Sequence, residues 1–447
     1  MRQKLIKFSK CLIALFIGVL FSSCQSDPIE ASNPNSGYLL QEFVLTYGSN
    51  NYYAAIDQSS KSMTLADIEY SQRITAVRYT LAEGAIISPI PGEEAWSQSQ
   101  TYTVTLNGVS EKYTLSLPDF SDIIDFKSVG YLTAAYFDYE NKIDHIDWSN
   151  LSHVIMSFLQ VNADGSIQYS SDQLIDRLTK LLVEAESNDF EVMISVQSSD
   201  TNSNNFYQAI SNSGWRASLI ASLVDFVDQY DLAGIDIDFE EYSNIGSDYD
   251  TFLRELGEAL DELEQERGEE VLFSVAVAPN YNSYPSDLGS IVDFINLMIY
   301  DNNWSTLNAD HASVSYFTST MSEAAEKFGA DSRQLIGGVP FYGYTYDNLG
   351  ASSSASGDAG VQKSYSEIFG VYLSAYGAEA IAEGNQIANT VYDGRLKIAE
   401  KCQYVVDNTY GGVMIWQLGH DLTDDYQEYK LLPVVGETLV YIDGKEI

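Results

Sequence analysis

Between residues 129 and 416 the apolar positions gather into eight short runs: Val129–Tyr136, His153–Leu159, Val192–Val196, Leu232–Phe239, Val271–Ala278, Phe294–Tyr300, Leu335–Val339 and Gly412–Trp416. Each has the length of a strand. Between most of them the period lengthens to that of a helix, at Leu174–Ser187, Trp215–Tyr230, Tyr249–Arg267, Ser313–Phe328 and Arg395–Val406. Leu219, Leu223, Phe226, Val227 and Tyr230 fall on one face of the second of these, and Leu253, Leu256, Leu260 and Leu263 on one face of the third. Eight strands alternating with helices predict an α/β fold of the (β/α)8 TIM-barrel type over residues 121–447, with its active site at the C-terminal strand ends. A doubly wound open sheet shares the alternation, but no glycine-rich phosphate loop follows the first strand. The gap from Phe341 to Tyr410 is longer than one helix requires, and predicts a small insertion between strands seven and eight with a loop at 351–360.

Upstream the texture is different. From Gly37 to about Phe120 the runs are short and alternating (LLQEFVLTYG, NYYAAID, ITAVRYTL, TYTVTLNG, EKYTLSLP), and Asn, Gly, Pro and Asp turns separate them. Leu106-Asn107-Gly108 reads as a hairpin turn. These features predict a small all-β sandwich over residues 37–120. The segment resembles the immunoglobulin-like N-terminal modules of exported Bacteroidetes proteins, which implies a spacer or a carbohydrate-binding role.

The composition narrows the partners. Lys and Arg number 23 against 64 Asp and Glu, a formal charge of −41. Such a field repels phosphate backbones and anionic surfaces, which excludes nucleic acid as a partner but not a neutral glycan. Arg2, Lys4, Lys7 and Lys10 precede an apolar run from Cys11 to Phe21 that is too short for a membrane span, the pattern of an export signal over residues 1–23. Phe21-Ser22-Ser23-Cys24 resembles a bacterial lipobox, which implies lipidation of Cys24, a tether over residues 24–36 and an exported lipoprotein of the outer membrane, on its cell-surface or periplasmic face. Asp27 and Glu30, soon after it, point to surface export. Cleavage with an incidental cysteine is the alternative. Cys11 and Cys24 aside, only Cys402 remains, so no intramolecular disulfide holds the exported fold.

The chemistry concentrates in Leu232-Ala233-Gly234-Ile235-Asp236-Ile237-Asp238-Phe239-Glu240. Alternate side chains of a strand share a face, so Asp236, Asp238 and Glu240 point one way and Ile235, Ile237 and Phe239 the other. In a barrel the apolar face packs on the helices and the three acids face the interior. Crowded there, they share protons and at least one pKa rises, which makes a general acid available near neutrality. An ordinary solvated acidic face and a carboxylate metal site are the competing readings. No EF-hand-like loop accompanies the cluster, and His145, His153, His311 and His420 show no paired ligand spacing, so neither metal nor cofactor is expected.

AGIDIDFE resembles the DGxDxDxE signature of glycoside hydrolase family 18, the chitinases and endo-β-N-acetylglucosaminidases. Val129-Gly130-Tyr131 resembles the family's first-strand motif, Met298-Ile299-Tyr300-Asp301 its sixth-strand MxYD, Gly338-Val339-Pro340-Phe341-Tyr342-Gly343 its seventh, and Gly411-Gly412-Val413-Met414-Ile415-Trp416 its eighth. The chain departs from the pattern twice. Ala233 stands for the first Asp of the signature, and Ser195-Val196-Gln197-Ser198 replaces the third-strand SxGG.

The resemblance implies a retaining hydrolase of β-1,4-linked N-acetylglucosamine, in chitin oligomers or the N-glycan core, whose nucleophile is the substrate's own acetamide. By position Glu240 is the general acid/base, Asp238 orients the acetamide, Asp236 holds Asp238 through a shared proton, and Tyr300 donates to the acetamide oxygen. Asp301, Met298, Tyr131, Ser195 and Tyr342 line or support the sugar site, with Trp416 stacking beneath it; Tyr344 and Trp304 extend it, and His420 is structural. The resemblance leaves two rivals: a lectin-like protein that binds such glycans without cutting them, and a structural component of a surface glycan-uptake assembly.

Overall fold

The computed structural model describes residues 37–47, 50–65, 74–91, 100–116, 126–135, 142–198, 204–240, 246–278, 284–302, 310–347 and 360–439. Cys24 with the whole leader and tether, Trp304, and the loop expected at 351–360 apart from Gly360 lie outside these residues. The chain folds as two compact units, Met1–Asp122 and Ile123–Ile447.

In the first unit seven strands hydrogen-bond in the spatial order fourth, first, second, third, seventh, sixth, fifth. The sixth and seventh, Gln100–Leu106 and Val109–Ser116, form a hairpin around Asn107 and Gly108, whose φ values of +51° and +82° define the primed turn that two-residue hairpins need. Phe43 on the first strand and Tyr102 on the sixth stand 5.3 Å apart by ring centroid. Those strands are four places apart in the sheet, about 19 Å if it were flat. The sheet therefore folds back on itself and closes a core of Leu40, Phe43, Leu45, Met63, Tyr102, Val104, Tyr113 and Leu115 between two layers.

The second unit is a closed parallel barrel of eight strands: β1 Lys127–Thr133, β2 His153–Val161, β3 Glu191–Ser198, β4 Gly234–Asp238, β5 Leu272–Val277, β6 Phe294–Leu297, β7 Leu335–Pro340 and β8 Gly412–Trp416. Pairing of β8 with β1 and of β1 with β2 closes the ring. The helical periods form α1 Leu174–Asn188, α2 Asn204–Ser211, α3 Ser213–Gln229, α4 Ser247–Arg267 and α5 Val314–Phe328. Asn212 caps α3 by accepting from the Gly214 and Trp215 amides, and Gly268 ends α4 at φ +71°. Between β5 and β6 the described chain contains a 3₁₀ turn, Leu288–Ser290, in place of a helix.

The insertion after β7 is a four-stranded antiparallel sheet of Tyr342–Thr345, Val361–Ser364, Gln386–Ile387 and Thr390–Tyr392, followed by the helix Arg395–Asp407 that leads back to β8. Apolar side chains fill both sides of the barrel wall. Ile235, Ile237 and Phe239 join the outer core with the helices. Val129, Tyr131, Ile155, Met193, Leu272, Phe294, Ile336 and Met414 plug the interior, with Ala233 at their edge. Gly234 is forced by geometry, because a Cβ there would lie 2.0 Å from the Leu272 carbonyl oxygen on β5.

Candidate active site

The pleat of β4 sends its three acids up the barrel axis in a graded series. Asp236 is wholly buried, Asp238 is partly buried, and Glu240 is exposed at the barrel mouth. A buried carboxylate needs donors, and Asp236 has four. Tyr131 Oη (2.8 Å) and Ser195 Oγ (2.7 Å) donate to Oδ2; Ser274 Oγ (2.7 Å) and Asn296 Nδ2 (3.3 Å) donate to Oδ1. They come from β1, β3, β5 and β6, so one carboxylate ties together five strands. Burial still pushes the Asp236 pKa up, against the downward pull of these donors.

Asp238 lies one pleat further on. Burial first, then the charges of Glu240 and Asp236, hold its pKa well above the usual carboxylate range. Its Oδ1 is buried without a hydrogen-bond partner. The shared proton expected between Asp236 and Asp238 is not among the described hydrogen bonds. Asp236 spends both oxygens on neutral donors, and its charge is what reaches Asp238. Glu240 is raised by desolvation and then by the charge of Asp301. The Tyr300 phenol is raised well above its usual value by burial and by the charges of Asp238, Asp301, Glu240 and Asp236, so it stays a neutral O–H donor.

Asp301 follows β6 with φ +57°, a left-handed conformation that turns its carboxylate toward the insertion. Its Oδ1 accepts from Tyr342 Oη (2.8 Å) and Tyr344 Oη (3.0 Å), and His311 Nδ1 lies 3.2 Å away. Tyr342 is buried, so it reaches the site through Asp301 and through the Tyr300 ring at 6.0 Å. Gly338 is required where β7 passes β6, because a Cβ there would lie 2.3 Å from the Leu297 carbonyl oxygen, and it would also come within 3.1 Å of the Tyr300 ring. Trp416 ends β8 with its indole 5.6 Å from the Tyr131 ring and stacked at 6.0 Å on Phe158, and Met298 packs with both Tyr300 and Trp416 against the inner plug. His420 is part-buried beside Gln417, and burial pushes its pKa down to about 4.

The ten residues expected in the site thus gather from β1, β3, β4, β8, the end of β6 and the first strand of the insertion. Three contributors went unread in the sequence: Ser274, Asn296 and His311. The first two carry a weak signal, since each is a lone polar side chain inside an apolar strand, LFSVAV and FINL. His311 carries none, because the link from its loop to Asp301 exists only in three dimensions.

A parallel eight-stranded barrel with a ladder of acids of raised pKa running to its mouth and Trp416 beside them fits the architecture of a glycoside hydrolase. Residues 127–421 match the family model of glycosyl hydrolases family 18, and the chain belongs to that family as a chitinase-type hydrolase. Residues 1–136 match a domain of unknown function, DUF4971. Endochitinase 1 of Metarhizium anisopliae is 25% identical over 386 residues, covering 73% of this chain and 90% of that one. The crystal structure of a chitinase from Bacteroides thetaiotaomicron is 31% identical with a TM-score of 0.60, over 70% of this chain and 97% of that one. A GH18 chitinase from the chitin utilization locus of Flavobacterium johnsoniae is 26% identical with a TM-score of 0.57, over 71% and 94%.

Proposed function

We propose that this protein is a retaining, endo-acting hydrolase of β-1,4-linked N-acetylglucosamine oligomers that uses the substrate's acetamide as nucleophile. The observation that carries the reading is the pairing of an acid at the mouth, its pKa raised by desolvation and by Asp301, with a buried, unpartnered acceptor one pleat below it. Glu240 gives its proton to the glycosidic oxygen as the C1–O bond breaks. The acetamide carbonyl oxygen closes onto C1 from the opposite face and forms an oxazolinium ring. Asp238 Oδ1 accepts the acetamide N–H, and its carboxylate stabilises the positive charge that develops there. Tyr300 donates to the acetamide oxygen. Glu240 then takes a proton from the incoming water, which opens the ring from the face the leaving group vacated and retains the β configuration. This is the substrate-assisted exception to the two-carboxylate scheme.

Trp416 offers an apolar face to the sugar ring, with Tyr131 and Phe158 fixing its plane. The family match and the names of the relatives support chitin-type oligomers as substrate. Cys24, in its lipobox context, is the anchor in this reading and would place the enzyme on the outer membrane.

The test supplies chitotetraose through chitohexaose and, separately, a high-mannose glycopeptide. Binding, new reducing ends and the anomer first formed are measured on each. Cleavage of the oligomers with the β-anomer appearing first supports the reading. Cleavage confined to the glycopeptide moves the substrate to the N-glycan core, and binding without new reducing ends on either leaves a lectin.

A further inference from the structure

The side chain that no motif accounts for is His311, wholly buried and pressed against Asp301. Its Nδ1 lies 3.2 Å from Asp301 Oδ1 and 3.3 Å from the Asp301 backbone nitrogen. With the proton on Nδ1 the ring donates to the carboxylate; without it the ring accepts from the amide. In both tautomers the ring holds Asp301, whose left-handed backbone turns its carboxylate toward Tyr342 and Tyr344. The Tyr342 and Tyr344 rings enclose it at 5.2 and 5.0 Å.

The segment bearing His311 is itself fixed. The Asn302 amide donates to the His311 carbonyl at 2.9 Å. Next door, both carboxylate oxygens of Asp310 accept from Lys397 Nζ, at 2.6 and 2.7 Å. Lys397 also pairs with Asp393 at 2.7 Å, and Asp393 with Lys401 at 2.5 Å. Asp393 and Lys401 are fully buried and Lys397 nearly so. Two acids and two lysines make a neutral cluster. Breaking a buried pair of this kind leaves an uncompensated charge and is strongly destabilising, so its partners stay together. This one pins the helix Arg395–Asp407 to the 310–312 segment, and so locks His311 at the back of Asp301.

We propose that His311 is a positioning residue that holds the Asp301 carboxylate in place for the catalytic acid. It rests on the catalytic reading of Glu240 given above. His311, Tyr342 and Tyr344 together fix the Asp301 carboxylate through Oδ1. Its negative charge favours the protonated acid that cleavage requires. The groups that bear on this chain of effects are Asp238, Asp301 and Tyr300 around Glu240, and Asp301, Asp393, Tyr342 and Tyr344 around His311. Loss of the His311 contact frees Asp301 to turn away, and Glu240, without that neighbouring charge, then loses its proton at lower pH.

The experiment uses the full chain with a chitooligosaccharide substrate, and compares wild type, His311→Leu and His311→Asn. The asparagine amide nitrogen falls where Nδ1 stood and can still donate. His311→Leu is expected to lower kcat about tenfold, the size of one lost charge-assisted hydrogen bond, with KM within about twofold. The basic limb of its kcat/KM profile moves to lower pH, and His311→Asn returns most of both. A folded His311→Leu enzyme with the wild-type limb, or with a limb moved to higher pH, overturns the proposal. So does His311→Asn as impaired as His311→Leu. Should His311→Leu fail to fold, Tyr344→Phe removes another donor from the same oxygen, and an unmoved limb there overturns it equally. The wild-type run separates this failure from that of the catalytic reading, because an enzyme that cuts nothing, or a Glu240→Gln variant that still cuts, fails before His311 is touched.

Discussion

Glu240→Gln isolates the proton. The glutamine keeps the shape and hydrogen-bonding capacity of the side chain but cannot protonate the leaving oxygen. General acid catalysis is worth about 10²–10⁴ in rate. The structure argues for the upper part of that range. The acid nearest along the strand is Asp238, two residues back and about 7 Å lower in the barrel. It cannot reach the oxygen that Glu240 serves. Asp301 is held by three groups on one oxygen, and its charge adds to desolvation in raising the Glu240 pKa. A loss of about 10³–10⁴ in kcat follows, or about 4–5.5 kcal/mol of transition-state stabilisation. Oligosaccharide binding should be nearly unchanged, because the Trp416 floor and Asp238 remain. The assay is initial release of reducing ends from chitotetraose, with binding followed by titration calorimetry and folding by thermal melt. Turnover within tenfold of wild type in a folded variant would refute the assignment, and sensitivity of the wild type to a chelator would point to a metal-assisted route instead.

Asp238→Asn should slow hydrolysis and yet raise the melting temperature at neutral pH. The folded pKa of Asp238 is raised well above its ordinary value of 3.8. The ionised form therefore destabilises the fold above about pH 4 and not below it, so the stability gain should shrink as pH falls through that range; a gain that persists at pH 3 contradicts the sign. Ser274→Ala removes a donor 2.7 Å from a fully buried carboxylate and should cost about 1.5–3 kcal/mol of stability by chemical denaturation; a cost under about 0.5 kcal/mol would show that water or a neighbour replaces it. A chain beginning near Ser121 should keep its turnover on a soluble oligosaccharide, because every candidate catalytic group lies downstream; lost turnover from a folded barrel would place the N-terminal module in the site. Cys24→Ala should release the protein from the membrane fraction or leave its precursor uncleaved, and an unchanged fraction argues against the anchor.

Strand and helix identity in the barrel was legible along the chain because burial there is periodic. Eight apolar runs and the stripes on α3 and α4 each record which face meets the core, and period alone separates strand from helix. The same reasoning placed Asp236, Asp238 and Glu240 on one face, since alternation along a strand is a local fact. It could not rank the three acids. Their gradation from buried to exposed comes from the depth of the barrel, and the four donors to Asp236 reach it from four strands up to 165 residues apart in sequence, as Tyr131 and Asn296 are. Nor could the sequence place Tyr342 behind Asp301, or show that His311 and the Asp310–Lys397–Asp393–Lys401 cluster back the same residue. Local pattern encodes which way a side chain points. Which charges meet, and so which proton stays on, depends on ring closure and on an insertion folding back over the rim, and those contacts leave no period in the chain.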